Sequence, residues 1–255
     1  MPARGPRRAY ARAVLRIIDA RTGEPVEAAP ARRGLTRVEA HASGFDASGL
    51  RVLLVADLLV RALELGGTPV WALLTGDREQ AELRAAAAAL GIRPFEDSRD
   101  LGAALGEAQV VHVVKEGGAA ADGVRIAVAP VDAEVAVTPA AGDDAAALRL
   151  ALLARRREVP LRLDADALDD ARRTVARWRR AVAAWAMRPS RPIPEEVRGR
   201  LRGAWEDDLD VPGVLRVLEW VETRPDLADG ARFETYAYAD RLLGLDLTRD
   251  LGSMP

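Results

Sequence analysis

The chain has 255 residues, a formal net charge of -2, 49% hydrophobic residues and no cysteine, and Lys115 is the one lysine among 37 basic residues. Length and apolar content suit one large or two ordinary folded domains, while the balanced charge makes no global case for nucleic-acid or membrane binding. Residue types alone exclude disulfides, cysteine-ligated zinc, thiol nucleophiles and a lysine-rich phosphate loop.

The opening MPARGPRRAYARAVLRIIDA carries basic residues but no apolar run of signal-peptide length before Arg16. No segment approaches about 18 uncharged apolar residues, so no membrane span is expected and a cytoplasmic location follows by default. Leu50 to Gly67 repeats apolar residues at helical spacing and closes on glycines, predicting a buried helix. Thr68 to Leu74 is a short apolar run before Thr75-Gly76-Asp77, which suits a strand covered on both faces. Gln80 to Leu90 is Ala-rich and helical, and Gly91 stops it. Strand, helix and strand suggest a parallel α/β layer.

Ala108 to Val114 (AQVVHVV) fits either a buried strand or a helix end, because so short a run has no decisive period. Asp122-Gly123 between two apolar stretches predicts a hairpin, with Val124 to Val128 returning. From Asp143 the pattern is helical almost throughout, placing a domain boundary near Val137 to Gly142. Residues 1–140 then form an α/β domain and 141–255 a helical one. In the second, Leu168, Ala171, Val175, Trp178, Val182 and Trp185 make the apolar stripe of a helix over Asp166 to Met187. The prolines of Arg188 to Pro194 end it, and Glu195 to Trp205 starts another. Asp210 is the expected N-cap of Val211 to Val221, and a last helix runs from about Ala231 to Leu243.

The helical half, from Asp143 through an LR-x-x-LL helix and a Pro-Leu turn to the long helix, resembles the segment after the active-site domain of cysteinyl-tRNA synthetases. Asp207 to Pro212 is similar to that family's DDLNTP turn, and Leu242-Leu243-Gly244-Leu245 to its terminal LGL. Leu15 to Asp19 with Arg21-Thr22 and Glu24-Pro25 resembles its opening strand and turn. Arg51 to Val70 with Asp57 and Arg61 resembles the helix after its first signature, and Thr75 with Asp77 its TD-x-DD strand end. Leu90-Gly91-Ile92, Lys115-Glu116-Gly117 and Asp122-Gly123 resemble the stretch into its hairpin. The pieces are collinear and cover most of the chain.

The resemblance implies a Rossmann-like, class I aminoacyl-tRNA synthetase-type α/β domain followed by an α-helical bundle. It also implies functional parts that are missing. A HIGH-type tetrapeptide would hold ATP phosphates, but that slot reads Asp46-Ala47-Ser48-Gly49, where a carboxylate opposes a triphosphate. The span between Val128 and Asp144 is too short for the family's second half-fold with its zinc ligands and KMSKS loop. The expected protein is a cysteinyl-tRNA synthetase-like, non-catalytic remnant with no required cofactor or metal, working through a protein partner, self-association or tRNA. The alternatives are a rebuilt ATP-dependent ligase or acyl-adenylate enzyme, and a structural subunit whose half-fold needs cover.

Candidate ligand residues are His41, Ser43, Gly44 and Ser48, a small polar loop able to cradle phosphate or adenosine, with Asp77 facing the same cleft. An ordinary turn capping the next helix explains that loop more simply, and Asp77 equally suits a cap. His112 in its apolar run reads as a packed histidine rather than a ligand. Arg172, Arg173, Arg177 and Arg180 are candidate RNA contacts, and Arg155-Arg156-Arg157 adds to that surface. Preceding aspartates on the same helix support the plainer reading of a solvated, ion-paired face.

Overall fold

The computed structural model of the protein describes residues 14–30, 34–97, 107–120, 122–137 and 143–252. A short antiparallel hairpin comes first, β1 (Arg16–Ile18) and β2 (Pro25–Glu27). There follow β3 (Leu35–His41), α1 (Ala47–Leu65), β4 (Val70–Thr75), α2 (Gln80–Ala89), β5 (Glu96–Asp97), β6 (Glu107–Lys115) and β7 (Val124–Val128). The remainder is β8 (Val131–Ala133), α3 (Asp143–Leu153), β9 (Leu161–Leu163), α4 (Ala165–Ala186), α5 (Glu195–Glu206), α6 (Val211–Thr223) and α7 (Asp229–Leu243). Most of the expected boundary segment, residues 138–142, lies outside the described residues.

Strands β3 to β7 form one sheet in the order β5-β4-β3-β6-β7, and every neighbouring pair is parallel. The chain leaves central β3 first to one side and then to the other, which is the doubly wound, Rossmann-like order. AQVVHVV is therefore strand, placed between β3 and β7 with Val111 and Val113 fully buried. The hairpin expected at Asp122-Gly123 does not form, since β7 runs parallel to β6 with His112 opposite Arg125. Gly123 serves close approach rather than a two-residue turn: a Cβ there would lie 3.1 Å from the His112 ring and 2.9 Å from the Val110 carbonyl. The nine-residue β6 and the five-residue β7 occupy the second side of β3.

Strand β3 has the alternating burial of a sheet whose faces differ, with Val38 and Ala40 buried and Arg37, Glu39 and His41 on the opposite face. Helix α1 contacts β3, β4, β6 and β7, and 15 of its 19 residues are buried. A helix apolar nearly all round is a central one. Its other sides meet α2, α7 and β8. One contiguous hydrophobic cluster takes residues from the sheet, α1, α3 and α4 to α7.

Buried charge ties these layers together. Asp57 on α1 accepts from Arg149 of α3 at 2.7 Å and from Arg61 at 2.8 Å, and Arg149 also donates to the carbonyls of Leu90 and Leu243. Arg51 donates to four carbonyls, those of Ala129, Arg155, Arg156 and Val159. Burial pushes its guanidinium down to about 10, still charged at neutral pH. The Asp207 to Pro212 turn is a further knot: Asp208 accepts from Arg157 at 2.5 Å and from the Ile18 N–H of β1 at 2.8 Å. As expected, Asp210 caps α6 by accepting the Gly213 N–H at 3.1 Å, and the α4 stripe from Ala171 to Trp185 is buried.

Candidate functional site

The carboxyl ends of β3, β4 and β6 open into a cleft of about 860 Å³. His41 to Ser43 line it from β3, Thr75 to Asp77 from β4, and Val114 to Ala119 from β6 and the segment after it. This is the switch point of the sheet, where diverging connections leave a crevice and where α/β ligand sites form. Close packing fixes its floor. A Cβ on Gly76 would stand 2.1 Å from the Ala42 carbonyl, so no larger residue fits between the ends of β3 and β4. Gly76→Ala is expected to lower folding stability by about 1–3 kcal/mol through overpacking. Urea denaturation checks this, and an unchanged midpoint would refute it.

Under the cleft the sheet register assembles a polar cluster. Glu39 lies opposite His112 across β3–β6, and His41 opposite Thr75 across β3–β4, so all four side chains share one face. His41 Nε2 and His112 Nδ1 are 2.9 Å apart, and His112 Nδ1 is 3.5 Å from Glu39 Oε2. Thr75 Oγ1 donates to Glu39 Oε1 at 2.5 Å. His112 Nε2 is 3.3 Å from the Asp122 carbonyl, which only accepts; the neutral tautomer that satisfies this contact has its proton on Nε2 and its lone pair on Nδ1. His41 Nε2–H then donates to it. Burial holds the His41 imidazole below its ordinary pKa, with Glu39 opposing and His112 and Arg125 adding to the depression.

Of the five ligand residues expected from sequence, His41, Ser43 and Asp77 border the cleft. Gly44 packs beside the Glu79 carboxylate, which accepts the Phe45 N–H at 2.8 Å. Ser48 turns the other way and accepts the Val131 N–H of β8 at 3.0 Å. Asp77 does not occupy the N-cap of α2, where Glu79 stands instead. The loop reading of His41 is corrected, since it is the last residue of a central strand. From sequence Glu39 is not singled out and His112 reads as packed; the period-two pattern of Leu35 to His41 places Glu39 on the face of His41, whereas His112 joins them only through the β3–β6 register.

Asp46, first residue of the slot where the resemblance places imidazoles, is the N-cap of α1 and accepts the Gly49 N–H at 2.6 Å. Lys115 donates to both its oxygens, at 2.7 and 3.0 Å. On α4, Arg172 pairs with Asp144 and Asp169, Arg173 with Asp170, and Arg177 with Glu222, while Arg180 is exposed. In the Arg155 to Arg157 run, Arg157 is buried on Asp208, and Arg156 pairs with Glu158. That run is largely structural.

The zinc implied by the resemblance has cysteine among its ligands, and a chain with no cysteine does not fit that group. Among the described residues, Glu39, His41 and His112 form the one group of three whose donor atoms all lie within 4.8 Å.

No family model matches the chain. Part of it is similar to curated L-cysteine:1D-myo-inositol 2-amino-2-deoxy-alpha-D-glucopyranoside ligases. It is 43% identical over 83 residues to that of Frankia alni, covering 32% of this chain and 19% of the relative. For Parafrankia sp. the figures are 38% over 117 residues, 42% and 26%, and for Thermobispora bispora 37% over 105 residues, 41% and 25%. The matches thus span about a fifth to a quarter of these relatives' length. The chain is a partial relative of enzymes named as cysteine ligases.

Proposed function

We propose that this chain is a cysteinyl-tRNA synthetase-like protein that does not activate an amino acid and acts in the cytoplasm as a binding or regulatory partner. Residues 1–140 are, in this reading, a shortened class I synthetase-type domain, and residues 141–255 the counterpart of the family's helical bundle. The observation that carries it is the closed N-terminus of α1. A helix start attracts phosphate through free N–H groups and its positive end. Here the Asp46 carboxylate already accepts the Gly49 N–H and neutralises Lys115, leaving ATP a carboxylate where the family offers imidazoles. The partner is another protein, a second copy of the chain, or tRNA on the Arg172 to Arg180 face. ATP is not a required cofactor.

Purified protein with ATP and cysteine is expected to give no ATP–pyrophosphate exchange above a protein-free blank. Cysteine-dependent exchange would overturn the proposal.

A second reading, a rebuilt ATP-dependent ligase using the switch-point cleft, is favoured by the names of the relatives, which join L-cysteine to an amino-sugar inositol. It requires saturable ATP binding that Asp77→Ala or His41→Gln abolishes. The structural-subunit reading has less to support it. Its premise was an uncovered sheet edge, and the β1–β2 hairpin bonds the β7 edge through Ala20 N–H to the Arg125 carbonyl at 2.7 Å.

A further inference from the structure

We propose that Glu39, His41 and His112 bind one divalent cation of the zinc class at the base of the switch-point cleft. The ligand set differs from the thiolate-containing one that the resemblance implies, and it stands or falls independently of the non-catalytic reading. Its three donors are His112 Nδ1, Glu39 Oε2 and His41 Nε2, the last after the neutral His41 imidazole moves its proton to Nδ1. Metal–ligand bonds of about 2.0–2.1 Å in a tetrahedral shell place donors about 3.3 Å apart. The separations of 2.9 and 3.5 Å bracket that value, and all donors lie within 4.8 Å. Closing on an ion therefore asks movements of about 1 Å or less from the half-buried tips of Glu39 and His41.

The outer contacts are those of a ligand set. His112 is buried and donates its remote Nε2–H to the Asp122 carbonyl, which turns the Nδ1 lone pair inward. Thr75 takes Oε1 of Glu39, and Oε2, with the Arg37 Nε 3.9 Å away, faces His112, so an ion there competes with that long ion pair. Such contacts orient metal-binding imidazoles and carboxylates and raise their basicity. Two imidazoles and a carboxylate suit zinc, and cobalt as its spectroscopic substitute, over magnesium or calcium, which prefer all-oxygen shells. Three protein donors leave one position of a tetrahedral shell, and His41 borders the cleft, so water or a small ligand there completes it.

The chain's histidine and cysteine content makes the test clean. It holds two histidines and no cysteine, so imidazole-dependent binding by the untagged protein can come only from His41 and His112. Calorimetric titration of the full chain with ZnCl2 is expected to show one ion per chain, and CoCl2 to give the visible absorption of a four-coordinate site. His112→Gln removes a buried ligand and risks unfolding. His41→Gln keeps a neutral side chain at a half-buried position, and its fold is checked by circular dichroism. It is expected to lose at least about 10-fold in zinc affinity together with the cobalt absorption. Absence of saturable one-to-one zinc binding by the wild-type chain, or wild-type affinity in folded His41→Gln, would overturn the proposal.

Discussion

Asp57→Asn is expected to lower folding stability by about 3–5 kcal/mol at neutral pH, a large share of what holds a domain of this size together. Asp57 is fully buried and its two oxygens take Arg149 and Arg61 on one side and Arg93 on the other, at 2.7, 2.8 and 3.3 Å. Arg149 has no exposure at all. Replacing the carboxylate by an amide keeps the volume but leaves that guanidinium in the core without its hydrogen-bonded counter-charge. The network also joins α1, α3, the end of α2 and the end of α7, because Arg149 and Arg61 bond the carbonyls of Leu90, Gly91, Arg241 and Leu243. Arg93 is 39% exposed, and its removal is expected to cost no more than about 1 kcal/mol.

The same carboxylate sets a pH signature. Burial alone would raise the Asp57 pKa, but Arg149 and Arg61 outweigh it and hold the folded value below the ordinary one. A depressed folded pKa means stabilisation that is complete above the unfolded value of about 3.9 and is lost as pH falls through the folded value. The gap between wild type and Asp57→Asn in urea denaturation is therefore expected to be full at pH 7 and to narrow below about pH 4. A gap that is constant with pH would show that the charge is not what stabilises.

Trp178→Ala is expected to cost about 3–5 kcal/mol, from lost transfer energy and the cavity left behind. The indole is 1% exposed on the inner face of α4, edge-on to Tyr236 of α7 with ring centroids 5.8 Å apart. Its N–H donates to Glu222 of α6, and the Tyr236 hydroxyl donates to the Leu218 carbonyl of α6 at 2.8 Å. One side chain thus bears on the α4, α6 and α7 contacts together. Trp178→Phe keeps most of the ring area and loses the N–H, so its cost is expected to fall well below that of alanine. Urea midpoints of the two variants decide this, and equal losses would make the hydrogen bond to Glu222, rather than packing, the main contribution.

The long elements were legible from the chain because their signals are local. Asp210 caps, Gly91 stops, the prolines of Arg188 to Pro194 break, and the Ala171 to Trp185 stripe repeats every three or four residues whatever packs against it. Lack of cysteine likewise excluded thiolate chemistry without any coordinates. Arg149, Arg51 and Arg157 could not be read as buried, because an arginine looks solvated until the carboxylate or carbonyls that meet it are known, and Asp57 lies 92 positions from Arg149. The parallel course of β7 was hidden for a related reason: Asp122-Gly123 has the composition of a turn, but the His112 ring beside Gly123 is what uses the missing side chain.

The candidate site divides along the same line. Residue types in the sequence determined that no nucleophile or metal ligand could be a thiolate, leaving histidine, carboxylate and hydroxyl groups and the single amine of Lys115, and that the slot at Asp46 lacked imidazoles. Which groups meet was decided only by parallel pairing of β3 with β6, which sets Glu39 beside His112 and brings His41 to within 2.9 Å of a histidine 71 positions away. Strand register is a long-range property, fixed by burial of Val38, Ala40, Val111 and Val113 on the opposite face. Nothing local to either histidine contains it.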